Sequence, residues 1–190
     1  MRTEVAAHGD IPLAAVLPFM TSAGDGAAVP PPCGALMEDV ANGRCVRDKA
    51  GNPVVVIYGG FECAVEDAIR QMIFINQRML RYVGPKEVPH VTYVYDMKPR
   101  EGLHDLSRTT LDMTFMKFVS LFPSGFSMYI CNAPSRVVTA TKLMPSWLLN
   151  NTKVSASYDI LAEAMDPPHM LPAWHPDGTL DWTLDAYCTE

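Results

Sequence analysis

The sequence has no Cys-x-x-Cys pair, and its five cysteines (Cys33, Cys45, Cys63, Cys131 and Cys188) are odd in number and widely spaced. That spacing excludes a zinc ribbon and a redox dithiol, and it fits reduced thiols in a cytosolic compartment. No apolar run reaches the ~20 residues that span a bilayer. The stretch Ile11 to Met20 resembles a signal-peptide core, but Glu4 and Asp10 precede it and two prolines interrupt it, so secretion is not expected. Positive charge is in deficit, with a formal net charge of −6. Broad nucleic-acid binding relies on neutralising phosphates and is therefore not expected. Constitutive adhesion to anionic membranes is disfavoured too, although a local basic patch leaves room for transient docking. The P-loop, HExxH and G-x-G-x-x-G signatures are absent, so no cofactor, metal or catalytic set is expected. Asn150-Asn151-Thr152 is a formal glycosylation sequon without meaning in a cytosolic chain.

What the chain does have is grease in ordinary proportion. Its 190 residues suit one domain, 48% are hydrophobic and 19% charged, and the mean hydropathy is +0.05. Twelve methionines are many. Met fills adaptable apolar surfaces, which fits a pocket for a flexible ligand and equally a Met-rich core without one.

Residues 1–34 are rich in Ala, Gly and Pro and read as a flexible arm, followed by a domain over 35–182 and a short tail over 183–190. Ala35 to Asn42 is predicted as a short helix and Arg44 to Asn52 as a polar turn. Val54-Val55-Val56-Ile57-Tyr58 has the β-branched apolar character of a strand buried on both faces. A helix is predicted from Glu62 to Val83, with Val65, Ile69, Met72, Ile73, Met79, Leu80 and Val83 at helical spacing. Val91 to Tyr95 reads as the next buried strand, closed by Asp96. A helix beginning near Asp105 carries Leu111, Phe115, Phe118 and Phe122 on one stripe and starts a second with Met113 and Met116. Strands are predicted at Phe126 to Cys131 and Lys153 to Ser157, separated by a helix from Arg136 to Leu149 that Pro145 interrupts. The alternation predicts an α/β fold with a mainly parallel sheet and right-handed crossovers. The tail from Pro167 is expected to wrap the surface.

Few residues carry an obvious chemistry. His175-Pro176-Asp177 matches the tripeptide of J-domain co-chaperones, but Gly178 follows it and a tight Pro-Asp-Gly turn is the stronger reading. Cys131 ends a strand where α/β folds gather ligands. A nucleophilic role would need a histidine, with His90 and His104 the nearby candidates, and a core thiol is favoured. Ser124 lacks the G-x-S-x-G context, and Asp96 is expected to cap a turn rather than ligate a metal. Lys153 follows the Pro-interrupted helix, where its ammonium would either meet a phosphate as a point charge or stay solvated. Arg136 and Lys142 read as surface cations, facing solvent or membrane headgroups.

In order and spacing these segments resemble the CRAL-TRIO family of lipid-binding domains, which includes phosphatidylinositol-transfer and retinaldehyde- and tocopherol-binding proteins. Gly51-Asn52-Pro53-Val54-Val55 is similar to the family's "GRPV" strand, and Thr92-Tyr93-Val94-Tyr95-Asp96 to its second strand. Phe122-Pro123 with Met128-Tyr129-Ile130-Cys131-Asn132-Ala133-Pro134 resembles "YPE…IINAP". Lys153-Val154 resembles "KI", and Ser157-Tyr158 through Leu171-Pro172 the run into "LP…GG". The likeness extends from about Gly51 to Gly178. It departs at Ser124 and Gly125, where an acidic residue is usual, and at Val91 and Tyr93, where some members place Ser and Thr for a choline headgroup. Most of the customary N-terminal helical lobe has no counterpart ahead of Gly51.

The resemblance implies a pocket between sheet and mobile gate helix that holds one hydrophobic ligand, most simply a phospholipid with phosphatidylinositol favoured, and exchanges it at membranes. Each buried acyl CH₂ contributes roughly 0.8 kcal/mol, so such a domain needs apolar surface rather than catalysts. It further implies Lys153 at the headgroup, and Tyr93, Tyr95, Phe115, Phe118, Met128 and Ile130 lining the pocket. Val137, Val138, Leu143, Met144, Trp147 and Leu148 would form the gate. Two alternatives stand beside it: a protein-interaction or lipid-sensing module with a reduced pocket and a partner the sequence does not identify, and a weaker Cys131-dependent enzyme.

Overall fold

The computed structural model describes residues 34–39, 42–58, 75, 78–83, 90–97, 125–141 and 146–182, with the backbone alone at Tyr58, Arg136, Ala140, Trp147 and Leu148. These build an α/β fold. Strands β1 (Gly34–Leu36), β4 (Val54–Tyr58), β5 (Val91–Asp96), β6 (Phe126–Cys131) and β7 (Thr152–Val154) form a five-stranded sheet in the order β1-β4-β5-β6-β7. β2 (Glu38–Asp39) and β3 (Arg44–Cys45) make a separate antiparallel ribbon. β4 through β7 run parallel, as the alternation of strands and helices predicts, and β1 joins β4 antiparallel.

The central strands follow directly from their composition. Val54 to Ile57 are at most 1% exposed and every residue of β5 is buried. A parallel sheet covered on both sides selects such continuous apolar runs. Strand alternation and register then sort the side chains. Leu36, Val55, Ile57, Tyr93, Tyr95, Met128, Ile130 and Val154 share one face, and Val56, Thr92, Val94, Asp96, Ser127, Tyr129, Cys131 and Lys153 share the other. We call these the crossover face and the tail face. Gly34 shares a face with its partner Ile57, and a Cβ built on it would lie 3.4 Å from Ile75 Cδ1. The helical segment before β5 therefore covers the crossover face. Right-handed connections between adjacent parallel strands put the β6-to-β7 segment on the same side. That segment contains helices α1 (Ser135–Thr141) and α2 (Ser146–Leu149).

The tail face is covered by the chain after β7. Helix α3 (Leu161–Ala164) and the 3-10 turn Pro167–His169 bring Leu161, Met165, Met170 and Trp174 into the core. The Lys49 N–H donates to the Ala164 carbonyl at 2.7 Å, and Lys49 Nζ to that of Ala162 at 2.6 Å. The turn before β4 is thereby bolted to the tail.

Three expectations are corrected. Ala35 to Asn42 is not a helix. Ala35 and Leu36 hydrogen-bond along the β4 edge, and Glu38 is buried against Arg78, with Nε–Oε1 and Nη2–Oε2 both 2.7 Å. Arg44 to Asn52 is not wholly a turn, because β3 opens it. The last strand is shorter than predicted and ends at Val154, where the Ser155 N–H still donates to the Ile130 carbonyl at 2.9 Å. Of the two long helices predicted in the crossovers, the one from Glu62 to Val83 is seen at 75 and 78–83, where the described residues are helical, and the one starting near Asp105 lies outside the described residues. The helix from Arg136 to Leu149 is present as α1 and α2, on either side of residues 142–145, which are not described.

Candidate functional site

Register places Tyr93 beside Met128 and Tyr95 beside Ile130 on the crossover face. Four of the expected pocket residues thus form one contiguous apolar wall. Phe115 and Phe118 lie outside the described residues. The wall is covered: Tyr93 and Met128 are 2% exposed, Tyr95 6% and Ile130 8%. Burial pushes the Tyr93 phenol well above its ordinary value. Of the expected gate residues, Val137 and Val138 in α1 are half-buried and pack against the core to which this wall belongs. Trp147 and Leu148 are in α2, where the backbone alone is described, and Leu143 and Met144 lie outside the described residues.

Lys153 is not brought together with that wall. It pairs in register with Tyr129 on the tail face, stands 5.9 Å from the Tyr129 ring centroid and forms an ion pair with Glu163. The hydrogen bond that Lys153 donates to Glu163 raises the Lys153 pKa. Its side chain is half exposed on β7, the terminal strand of the sheet, so its ammonium remains within reach of solvent.

At the carboxyl ends of β5 and β6 the tail face carries a polar cluster. Asp96 is 4% exposed. Its Oδ1 accepts from Asn132 Nδ2 at 2.8 Å, and its Oδ2 accepts from the Tyr158 hydroxyl at 2.8 Å. Asn132 adopts the left-handed conformation with φ 54°, which Asn tolerates better than most residues. Burial, and then the bond to Asp96, push the Tyr158 phenol well above its ordinary value. Both bonds join Asp96 to side chains, and neither is the turn cap that the sequence suggests. Asn132 and Tyr158 carried no sequence signal beyond their places in the Asn-Ala-Pro corner and in the Ser157-Tyr158 segment after the last strand.

Cys131 adjoins this cluster with no exposed surface, and burial followed by the Asp96 charge pushes its thiol up to about 12. His90 sits at the opposite end of the strands, with Nε2 2.9 Å from Ser127 Oγ, and His104 and Ser124 lie outside the described residues. The arrangement gives Cys131 neither a thiolate nor a histidine partner among the described residues. His175 to Gly178 forms a closed turn, the Gly178 N–H donating to the His175 carbonyl at 2.9 Å. Among the described residues no group of His, Cys, Asp and Glu could hold a metal ion, and no helix is long and apolar enough to cross a membrane.

No protein-family model and no curated protein matches this chain.

Proposed function

We propose that this chain is a CRAL-TRIO-like domain that binds one hydrophobic ligand, with a phospholipid favoured and phosphatidylinositol first among them, and transfers or presents it at a membrane. The observation that carries the reading is the contiguous wall of Tyr93, Met128, Tyr95 and Ile130 on the face that the α1–α2 crossover covers. An acyl chain laid along that wall gains roughly 0.8 kcal/mol for each CH₂ removed from water. Opening involves Val137 and Val138 parting from the core. A headgroup engaging Lys153 would have to reach the β7 edge and displace Glu163, because that lysine projects from the other face.

The test is native mass spectrometry of purified protein before and after incubation with phosphatidylinositol-containing vesicles. About one lipid per chain is expected; a protein that stays empty refutes the reading. Replacing Lys153 with Ala is expected to reduce phosphatidylinositol uptake selectively, and unchanged uptake removes Lys153 from the headgroup site.

A second reading rests on the same wall. With Tyr93 and Met128 only 2% exposed, the apolar face is already filled by protein, as in an interaction or sensing module with a reduced pocket. Lipid extraction separates the two. The Cys131-dependent enzyme is weaker, since a thiol raised to about 12 is almost wholly protonated near neutrality.

A further inference from the structure

Two buried hydroxyls stand in one row of the sheet. Register aligns Leu36, Val55, Tyr93, Met128 and Thr152 across its strands, and all five belong to the crossover face. Met128 separates Tyr93 from Thr152, whose backbones are therefore two strand spacings apart, about 9–10 Å. Tyr93 is 2% exposed. Its hydroxyl has no hydrogen-bond partner among the described residues, and burial alone raises its pKa. Thr152 Oγ1 is buried and equally without a partner among them. A buried tyrosine ordinarily bonds its hydroxyl, because an unpaired one forfeits its bonds to water and gains nothing in return. The described strands of this sheet turn no carboxylate, ammonium or guanidinium to the same face. A charged group laid on the row would lose its water without a counter-charge from the sheet, whereas an uncharged oxygen needs only a hydrogen bond.

We propose that Tyr93 and Thr152 form a neutral polar subsite in the apolar wall, which takes an uncharged oxygen function of the bound molecule, an ester carbonyl or a hydroxyl. The inference rests on the lipid reading and specifies it. What lies along the wall is an oxygenated apolar chain, with any charged headgroup left outside the row. The Tyr93 hydroxyl donates to the ligand oxygen. That of Thr152 donates to an ester or accepts from an alcohol, since a hydroxyl serves both ways. Met128 between them has the soft, unbranched side chain that yields to an incoming group.

Binding of methyl palmitate, hexadecanol and hexadecane to the lipid-free full chain tests the subsite, each probe being delivered from methyl-β-cyclodextrin. The probes share an unbranched apolar chain and differ in their oxygen. Tyr93→Phe and Thr152→Val each remove one hydroxyl and keep the shape. Each is expected to weaken binding of the ester or the alcohol about threefold to tenfold relative to hexadecane, the scale of one hydrogen bond. The probe that weakens more identifies the source, an acyl ester or a free hydroxyl. In the empty protein each variant is expected to raise the Tm by about 2–4 °C, because an unpaired buried hydroxyl has been removed. An unchanged binding ratio, or a Tm that fails to rise, in either variant overturns the shared subsite. Binding of none of the probes sinks the lipid reading and the subsite together, whereas binding of all of them at unchanged ratios sinks the subsite alone.

Discussion

Cys131 illustrates how burial decides a residue's chemistry. The sequence marks it as a thiol at a strand end, and only the packing shows that it is held protonated. Its ordinary value of 9.0 is pushed up to about 12. Below pH 9 both folded and unfolded chains keep the proton and the group adds no pH dependence. Above it the unfolded chain ionises and the folded one resists, so stability is lost progressively as pH rises towards 12. The slope approaches about 1.4 kcal/mol per pH unit. Urea unfolding is therefore expected to show Cys131→Ala losing about 2 kcal/mol less than the wild type between about pH 8 and about pH 10.5. An identical loss in both would show that this thiol does not titrate as described. Asn132 and Tyr158 were not legible at this scale, because their role depends on Asp96, which is 36 and 62 positions away respectively. Local propensity contains no information about such a partner.

At the scale of elements, β4, β5 and β6 could be read from the sequence because an apolar β-branched run flanked by turn residues admits few other folds. The segment after Gly34 could not. Ala-Leu-Met-Glu-Asp suits a helix by propensity, but the exposed edge of β4 and the buried Arg78 offered it hydrogen bonds and an ion pair that a helix would forgo. Tertiary partners override weak local preference. The Glu38–Arg78 pair, 1% and 9% exposed at the side chains, is where that override is anchored. It also reaches Tyr82, whose phenol burial and a hydrogen bond to Glu38 push up to about 12. Glu38→Gln leaves the guanidinium buried without its counter-charge and is expected to cost about 3–5 kcal/mol in urea unfolding, with the Glu38→Met, Arg78→Met double variant recovering most of it. Additive losses would mean that the two charges do not depend on each other.

For the whole molecule, the sheet is sealed on its tail face by chain that the sequence describes only as turn-rich. Met165, Met170, Trp174 and Trp182 are buried there, and their scattered spacing matches neither the helical nor the strand period. That irregularity is why the tail's contribution to the core was not legible, while its Asp-Gly turn was. Gly178 is packed so closely that a Cβ would fall 2.5 Å from the Leu171 carbonyl oxygen and 2.9 Å from that of His175. Both are backbone atoms and yield little. Gly178→Ala is expected to cost about 1–3 kcal/mol, seen as a Tm lowered by roughly 3 °C per kcal/mol. An unchanged Tm would show that the tail adapts freely and contributes little to the fold.

Among the described residues, the short strands at the two margins of the sheet have one more consequence. β1 and β7 each span three residues, and β7 carries Lys153 at its centre. Unpaired strand margins invite neighbouring molecules to add their own strands, and brevity together with a lysine opposes this. Lys153 thereby guards against self-association whether or not it ever meets a phosphate.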